Sequence, residues 1–330
     1  MVVMTNKLYT LEEATQLINK NRTLVIAGDE SLLSKLPEGN WIGGTNPYLL
    51  GENGGQYTTE KLYIKDFTDI CSESKTKFYS ISEIDKITVD GYENGIIFVI
   101  VPGFSQVHYE FSIKAPNLKN QFINPLIGWV SGSKFEEIAP GIASCFIASE
   151  CSKDKIAVMF MKLPDNKIGR IEIINVYKQG NGDIYTFPED GFLNTDFFVN
   201  GQINNLYEYY EKNNIDWFLP LVANYAGASI NIGLIKDDVN KRALFAAPVF
   251  KNVIYKIAQS KIEDYNTEFF RQLEKDKNCK IEYSYSCLYN YFNFNLEGKT
   301  IDGFTGTFTF GEFAYQLLNI SFVYLVIENV

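Results

Sequence analysis

The sequence predicts an α/β chain of the α+β kind, with two mixed-sheet domains flanked by helices. Three observations carry that expectation. Gly303 to Glu312 alternates aromatic and threonine residues with period two, as in a strand buried on one face. Gly95 to Val101 is continuously apolar and β-branched, as in a strand buried on both faces. Thr10-Leu11-Glu12-Glu13 is a helix capping box, and Leu11, Ala14, Leu17 and Ile18 then share one face. With 330 residues, 46% of them apolar, and 25 Phe and 21 Tyr, the chain can build substantial cores.

The elements follow in order. After the capped helix, Leu24–Ala27 reads as a short buried strand ended by Gly28-Asp29-Glu30, and Ser31–Leu36 as a helical turn. Asn40 to Thr45 is a second short strand running into a glycine-containing loop. Leu62-Tyr63-Ile64 opens the next block. Pro102-Gly103 ends the Gly95–Val101 strand, and Ser105 is placed to cap a helix reaching about Lys114. Asn124 to Ser149 has weak periodicity and no assignment. Ile156–Leu163, Arg170–Lys178 and Asp183–Phe187 are strand-like, with turns at Pro164 to Lys167 and Gly180 to Gly182, and suggest an antiparallel meander. Pro188 to Asn200 mixes Pro, Gly, Asp and Asn and marks the boundary between domains 1–195 and 196–330. Beyond it, Ile203, Leu206, Tyr207 and Tyr210 define a helix face. Ile230–Lys236 and Leu244–Phe250 read as strands, and Lys261 to Lys275 as a helix. Ile281–Asn295 is strand-like, and two closing strands, the second being Phe322–Ile327, complete a sheet.

Charge and motifs exclude several functions. A formal net charge of −10, with no basic run, argues against nucleic acid and against anionic membrane surfaces. The first residues lack the basic flank and apolar core of a signal peptide, and no segment has the roughly 18 apolar residues of a membrane span. Five cysteines (Cys71, Cys145, Cys151, Cys279, Cys287), odd in number and without a CxxC pair, read as reduced thiols in a cytoplasmic protein. His108 is the single histidine, so metal and His-assisted nucleophilic chemistry both depend on one residue, and neither a metal nor a cofactor is expected. There is no nucleophile elbow and no phosphate-binding lysine loop.

The remaining candidates sit at strand ends. Gly43-Gly44-Thr45 can bring backbone close to a ligand or to another strand. Glu312, a lone carboxylate between apolar strands, calls for a pocket or for structural hydrogen bonds. Cys287 is either a nucleophile or a small buried residue.

Gly306-Thr307-Phe308-Thr309-Phe310-Gly311-Glu312, with Leu318-Asn319-Ile320-Ser321 and a terminal apolar strand, resembles the close of the FIST C-terminal domain. Ile230-Asn231-Ile232, Ala247 to Tyr255 and Tyr285-Ser286-Cys287 are similar to its inner strands, and Trp41 to Thr45 resembles the glycine-rich strand end of the FIST N-terminal domain. Residues 1–195 then correspond to the first domain and 196–330 to the second. Two departures stand out: Leu288-Tyr289-Asn290 replaces the family's arginine after Ser-Cys, and the interval to Gly311-Glu312 is short for the family's intervening helix. The resemblance implies an intracellular sensory module that binds a small ligand such as an amino acid. Its candidate contacts are Gly43, Gly44, Thr45, Cys287, Thr309, Glu312 and Asn319. No output domain is evident, so signalling would pass through a separate partner or a change of homo-oligomeric state. The competing expectation is a hydrolase or transferase using Cys287 or a hydroxyl nucleophile.

Overall fold

Thr10 starts the first helix as its sequence dictates. The Glu13 N–H donates to Thr10 Oγ1 at 3.2 Å, and the Glu13 carboxylate accepts the Thr10 N–H at 2.9 Å. Helix Leu11–Ile18 then drives Ala14 and Ile18 into a cluster with Leu24, Ile26, Trp41 and Phe146. In this computed structural model, residues 7–137, 141–225, 228–259, 267–268, 271–272, 281–301 and 304–330 are described. Strand outweighs helix, 42% to 17%, in several mixed sheets with a few helices, which is the α/β (α+β) class. Two compact units form: Met1–Ile173 with Lys277–Gln316 and Phe322–Val330, and Ile174–Asp276 with Leu317–Ser321. Both are discontinuous in sequence, whereas the expected division at 195/196 is a single cut.

The first unit holds three sheets, each built around one parallel pair. In the first, Leu24–Gly28 runs parallel to Trp41–Thr45 and antiparallel to Tyr63–Asp66. Asp29 caps the short helix Glu30–Leu33 between the paired strands. In the second, Gly95–Pro102, buried at every position, runs parallel to Leu126–Ser131. Ile156–Lys162 lies antiparallel on its other side, and Glu312–Ala314 pairs antiparallel with Leu126–Ser131. In the third, Ile281–Cys287 runs parallel to Gly306–Thr309 and antiparallel to Phe322–Asn329, while Gly306–Thr309 takes Tyr48–Gly51 on its far side. Tyr283 packs on Phe98 at 5.2 Å and stacks on Trp129 at 6.2 Å between ring centroids, which seats the third sheet on the second. Gly44 meets the second sheet from the first: a Cβ there would lie 2.5 Å from Ile100 Cγ2.

The second unit is antiparallel. Its six-stranded sheet runs Gln202–Asn205, Asp196–Val199, Tyr185–Thr186, Tyr255–Ile257, Leu221–Tyr225, Ala228–Ile232, beside a hairpin of Leu234–Asp237 and Arg242–Phe245. Phe187 fills its core, 5.2 Å from Phe245 and 5.4 Å from Tyr255. Asn205 caps helix Leu206–Lys212, which buries Leu206, Tyr207 and Tyr210.

Several elements differ from expectation. Ile203, placed on the helix face by periodicity, lies in the strand before the Asn205 cap and is 67% exposed. Ile156–Lys162 and Lys167–Ile174 do not form a meander; they join the second and third sheets respectively. The strand-like run from Ile281 ends at Cys287 and continues as helix Leu288–Asn293. The strand expected over Leu244–Phe250 runs instead from Arg242 to Phe245. Strands Leu126–Ser131 and Cys145–Ile147 occupy the stretch without assignment. The expected helix from Lys261 to Lys275 falls almost wholly outside the described residues.

Candidate functional site

The carboxyl ends of the three parallel pairs meet in the first unit. The Gly132 N–H, just past Ser131, donates to Thr45 O at 2.8 Å. Asn46 Nδ2 donates to Phe308 O at 2.8 Å, tying the end of the first sheet to the third. Gly311 O accepts the Val130 N–H at 2.9 Å, which tethers the bend before Glu312 to the second sheet. Ligands of open α/β sheets bind outside the carboxyl ends of parallel strands, because the backbone there leaves the ladder and side chains of several strands converge.

Cys287 and Thr309 are register partners at the ends of adjacent parallel strands, Cys287 only 8% exposed and Thr309 wholly buried. Thr309 Oγ1 lies 3.1 Å from Glu312 Oε1 and 3.3 Å from Ser286 O, so its one hydrogen serves either acceptor and the carboxylate is the nearer. Glu312 itself has no exposed surface and pairs across the ladder with Trp129. The Trp129 indole N–H is buried and has no acceptor among the described residues, 3.3 Å from where a Cβ on Gly44 would stand. Burying such a donor is costly unless something accepts from it.

The glycines read structurally. A Cβ on Gly43 would come within 3.0 Å of Ile26 O and 3.1 Å of Trp41 Cζ3, so both glycines are required for strand and sheet packing. Thr45 exchanges bonds with Ser144: Oγ1 accepts the Ser144 N–H at 3.0 Å, and its own N–H donates to Ser144 O at 3.0 Å. Asn319 belongs to the second unit, where Nδ2 donates to Leu318 O at 3.0 Å. The first unit therefore gathers Gly44, Thr45, Cys287, Thr309 and Glu312 around the strand ends, with Gly43 beneath them in the packing.

His108 sits in the first turn of helix Gln106–Lys114, capped by Ser105, and its Nδ1 accepts the Phe104 N–H at 3.3 Å. Burial drives its pKa down to about 3, so it is neutral. Burial also raises the Tyr285 hydroxyl well above its ordinary range, the Gly128 N–H opposes that, and the negative charge of Glu312 adds to it. Among the described residues no group of three or more His, Cys, Asp or Glu is placed to hold a metal ion, and no helix is long and apolar enough to cross a membrane.

Sequence reasoning missed Lys65 and Glu282. They form a buried ion pair at 3.1 Å between the first and third sheets, with side chains 2% and 4% exposed. A register shift between Ile281 and Tyr283 accompanies it, the kind of bulge that re-aims a side chain. A lysine in the strand Tyr63-Ile64-Lys65-Asp66 and a glutamate opening the tyrosine-rich Ile281–Cys287 were the available signals. Also missed was Tyr48, whose hydroxyl accepts the Phe135 N–H at 3.0 Å, and whose ring joins the aromatic residues flanking the strand ends.

These features define a mixed α/β protein with a convergent polar cluster at its parallel strand ends. The chain belongs to the family of unknown function DUF6976, whose family model matches residues 9–328. No curated protein matches it.

Proposed function

We propose that the protein is a FIST-like, intracellular sensory module that binds a small metabolite at the carboxyl ends of its three parallel strand pairs. The observation that carries this reading is the convergence of Thr45, Cys287, Thr309 and Glu312 there, beside a buried Trp129 N–H that has no acceptor among the described residues. A carboxylate, a hydroxyl and an indole N–H among aromatic walls are the few convergent polar groups that small-molecule sites use to fix orientation. Signalling would then pass to a separate partner or through homo-oligomerisation.

A metabolite screen by thermal shift tests the proposal. A true ligand at about 100 times its Kd stabilises by roughly 2.7 kcal/mol. That shift should disappear in Thr309→Val while the variant still unfolds cooperatively. A screen of amino acids and related metabolites with no stabilising compound would defeat it. A hydrolase or transferase reading is favoured only by the position of Cys287 beside Thr309 at the strand ends. If Cys287→Ala abolishes a measured turnover while ligand affinity is retained, catalysis replaces sensing.

A further inference from the structure

Tyr48 lies at the floor of a cluster of rings beside the strand ends. It is 4% exposed, and it meets Tyr57 at 5.3 Å and 56° and Phe292 at 5.9 Å and 71°. Phe135 meets Phe292 at 5.3 Å and 62°. Rings that join at steep angles over such distances meet edge to face and do not form a parallel stack. Tyr57, Phe135 and Phe292 are 41%, 51% and 45% exposed, so the rim is open to solvent. The Phe135 N–H bond to Tyr48 Oη fixes the loop that carries Phe135 and brings the exposed Glu136 and Glu137 to the same rim. Burial raises the Tyr48 hydroxyl pKa, the Phe135 N–H opposes it, and the charges of Glu136 and Glu137 add smaller upward contributions.

Other aromatic rings of this chain are covered by their own lysines, as Lys77 covers Tyr79 at 4.3 Å and Lys75 covers Tyr92 at 4.8 Å. Among the described residues no lysine or arginine lies over Tyr48, Tyr57, Phe135 or Phe292. Exposed ring faces with two carboxylates at the rim attract a cation that the chain does not itself supply. A purely apolar partner would have to desolvate those carboxylates without pairing them, so the charges select against it.

We propose that this aromatic rim binds a small organic ammonium ion, primary or methylated. The inference deepens the proposed function by naming the chemistry of the ligand, and it rests on the strand ends being a ligand site. The cation would lie over the faces of Tyr57, Phe135 and Phe292, balanced by Glu136 and Glu137, with any polar tail directed toward the strand ends.

The test is titration of the full chain with choline, tetramethylammonium and 3,3-dimethylbutanol, the neutral shape-mimic of choline, by calorimetry and ligand-observed NMR. Choline is expected to bind about tenfold more tightly than the neutral mimic. Phe292→Leu and Phe135→Leu should each weaken the ammonium ions several-fold, and Glu136→Gln with Glu137→Gln should flatten the dependence on salt. Phe122→Leu, at an exposed aromatic outside the cluster, should leave binding unchanged. These are rim positions, and an unchanged melting profile verifies that each variant folds. Equal binding of the neutral mimic, insensitivity to Phe292→Leu, or no saturable ammonium binding would overturn the proposal. The two readings fail separately: metabolites that bind through Thr309 and ignore Phe292 would retain the ligand site and remove the ammonium assignment, whereas ammonium ions that bind through Phe292 and ignore Thr309 would do the reverse.

Discussion

At Lys65 and Glu282, two opposite charges share a nearly dry interface at 3.1 Å. Breaking a buried ion pair by removing one member costs about 3–5 kcal/mol. Lys65→Met should therefore lower the urea midpoint sharply, while Lys65→Met combined with Glu282→Leu should recover much of the loss, because both buried charges are then removed. A double variant as unstable as the single one would show that the pair contributes more than its own neutralisation. Gly128 makes a steric case. Its φ is +149°, and a Cβ there would stand 1.8 Å from Val99 O on the parallel neighbour. Gly128→Ala is expected to prevent the second sheet from closing, read as loss of near-ultraviolet circular dichroism. Gly44, whose obstruction is the Ile100 Cγ2 methyl and not a backbone carbonyl, should tolerate alanine better than Gly128 does.

Helices were legible from their first turns. Thr10 with Glu13 and Ser105 with the His108 N–H are local bonds between residues three apart, so sequence alone fixes them. Thr10→Ala should cost about 1 kcal/mol by denaturant unfolding. The Ser105-capped helix adds a pH dependence, because His108 in its first turn is buried and faces the positive end of the helix dipole. Its folded pKa, about 3, lies below the ordinary value of 6.5. Above pH 6.5 both folded and unfolded forms are neutral and nothing is lost. As pH falls from 6.5 toward 3 only the unfolded chain takes up the proton, so stability declines by up to about 1.4 kcal/mol for each pH unit. His108→Gln should flatten that part of the pH–stability curve, and parallel curves for the two proteins would refute the assignment. Strand pairing was less legible. The apolar run at Gly95–Pro102 announces burial on both faces, but nothing in the Ile156–Lys162 stretch states that its neighbours are Glu73–Tyr79 and Gly95–Pro102 instead of the strand that follows it. The Leu288–Asn293 helix was hidden because it buries Leu288, Asn290 and Tyr291 over less than two turns, too few residues to separate a helical period from alternation.

At the scale of the molecule, the first unit is built from three separate stretches of chain. The carboxylate at Glu312 and the glycines at Gly43 and Gly44 could be singled out one by one from sequence. Their relation could not, because it depends on Asn46 reaching Phe308, 262 positions away. The same remoteness concealed the ion pair of Lys65 with Glu282. A fragment ending at residue 173 would lack three strands of the third sheet, Ile281–Cys287, Gly306–Thr309 and Phe322–Asn329, and the Glu312–Ala314 partner of Leu126–Ser131. It should show exposed apolar surface by dye binding and exchange most of its amide protons rapidly. A fragment with native-like protection would mean that the later strands are dispensable for the first two sheets.

The Asn46–Phe308 bond also bears on the order in which this protein can be made. A ribosome delivers Leu24–Gly28 and Trp41–Thr45 early, yet the strands that complete their unit emerge only after the whole intervening stretch has been synthesised. At roughly 5–20 residues per second, the early strands wait on the order of ten seconds or more with apolar faces uncovered. Trigger-type holdases would have their longest opportunity to engage over that interval, and slowing translation within the stretch from 174 to 276 should raise the fraction of nascent chains lost to aggregation.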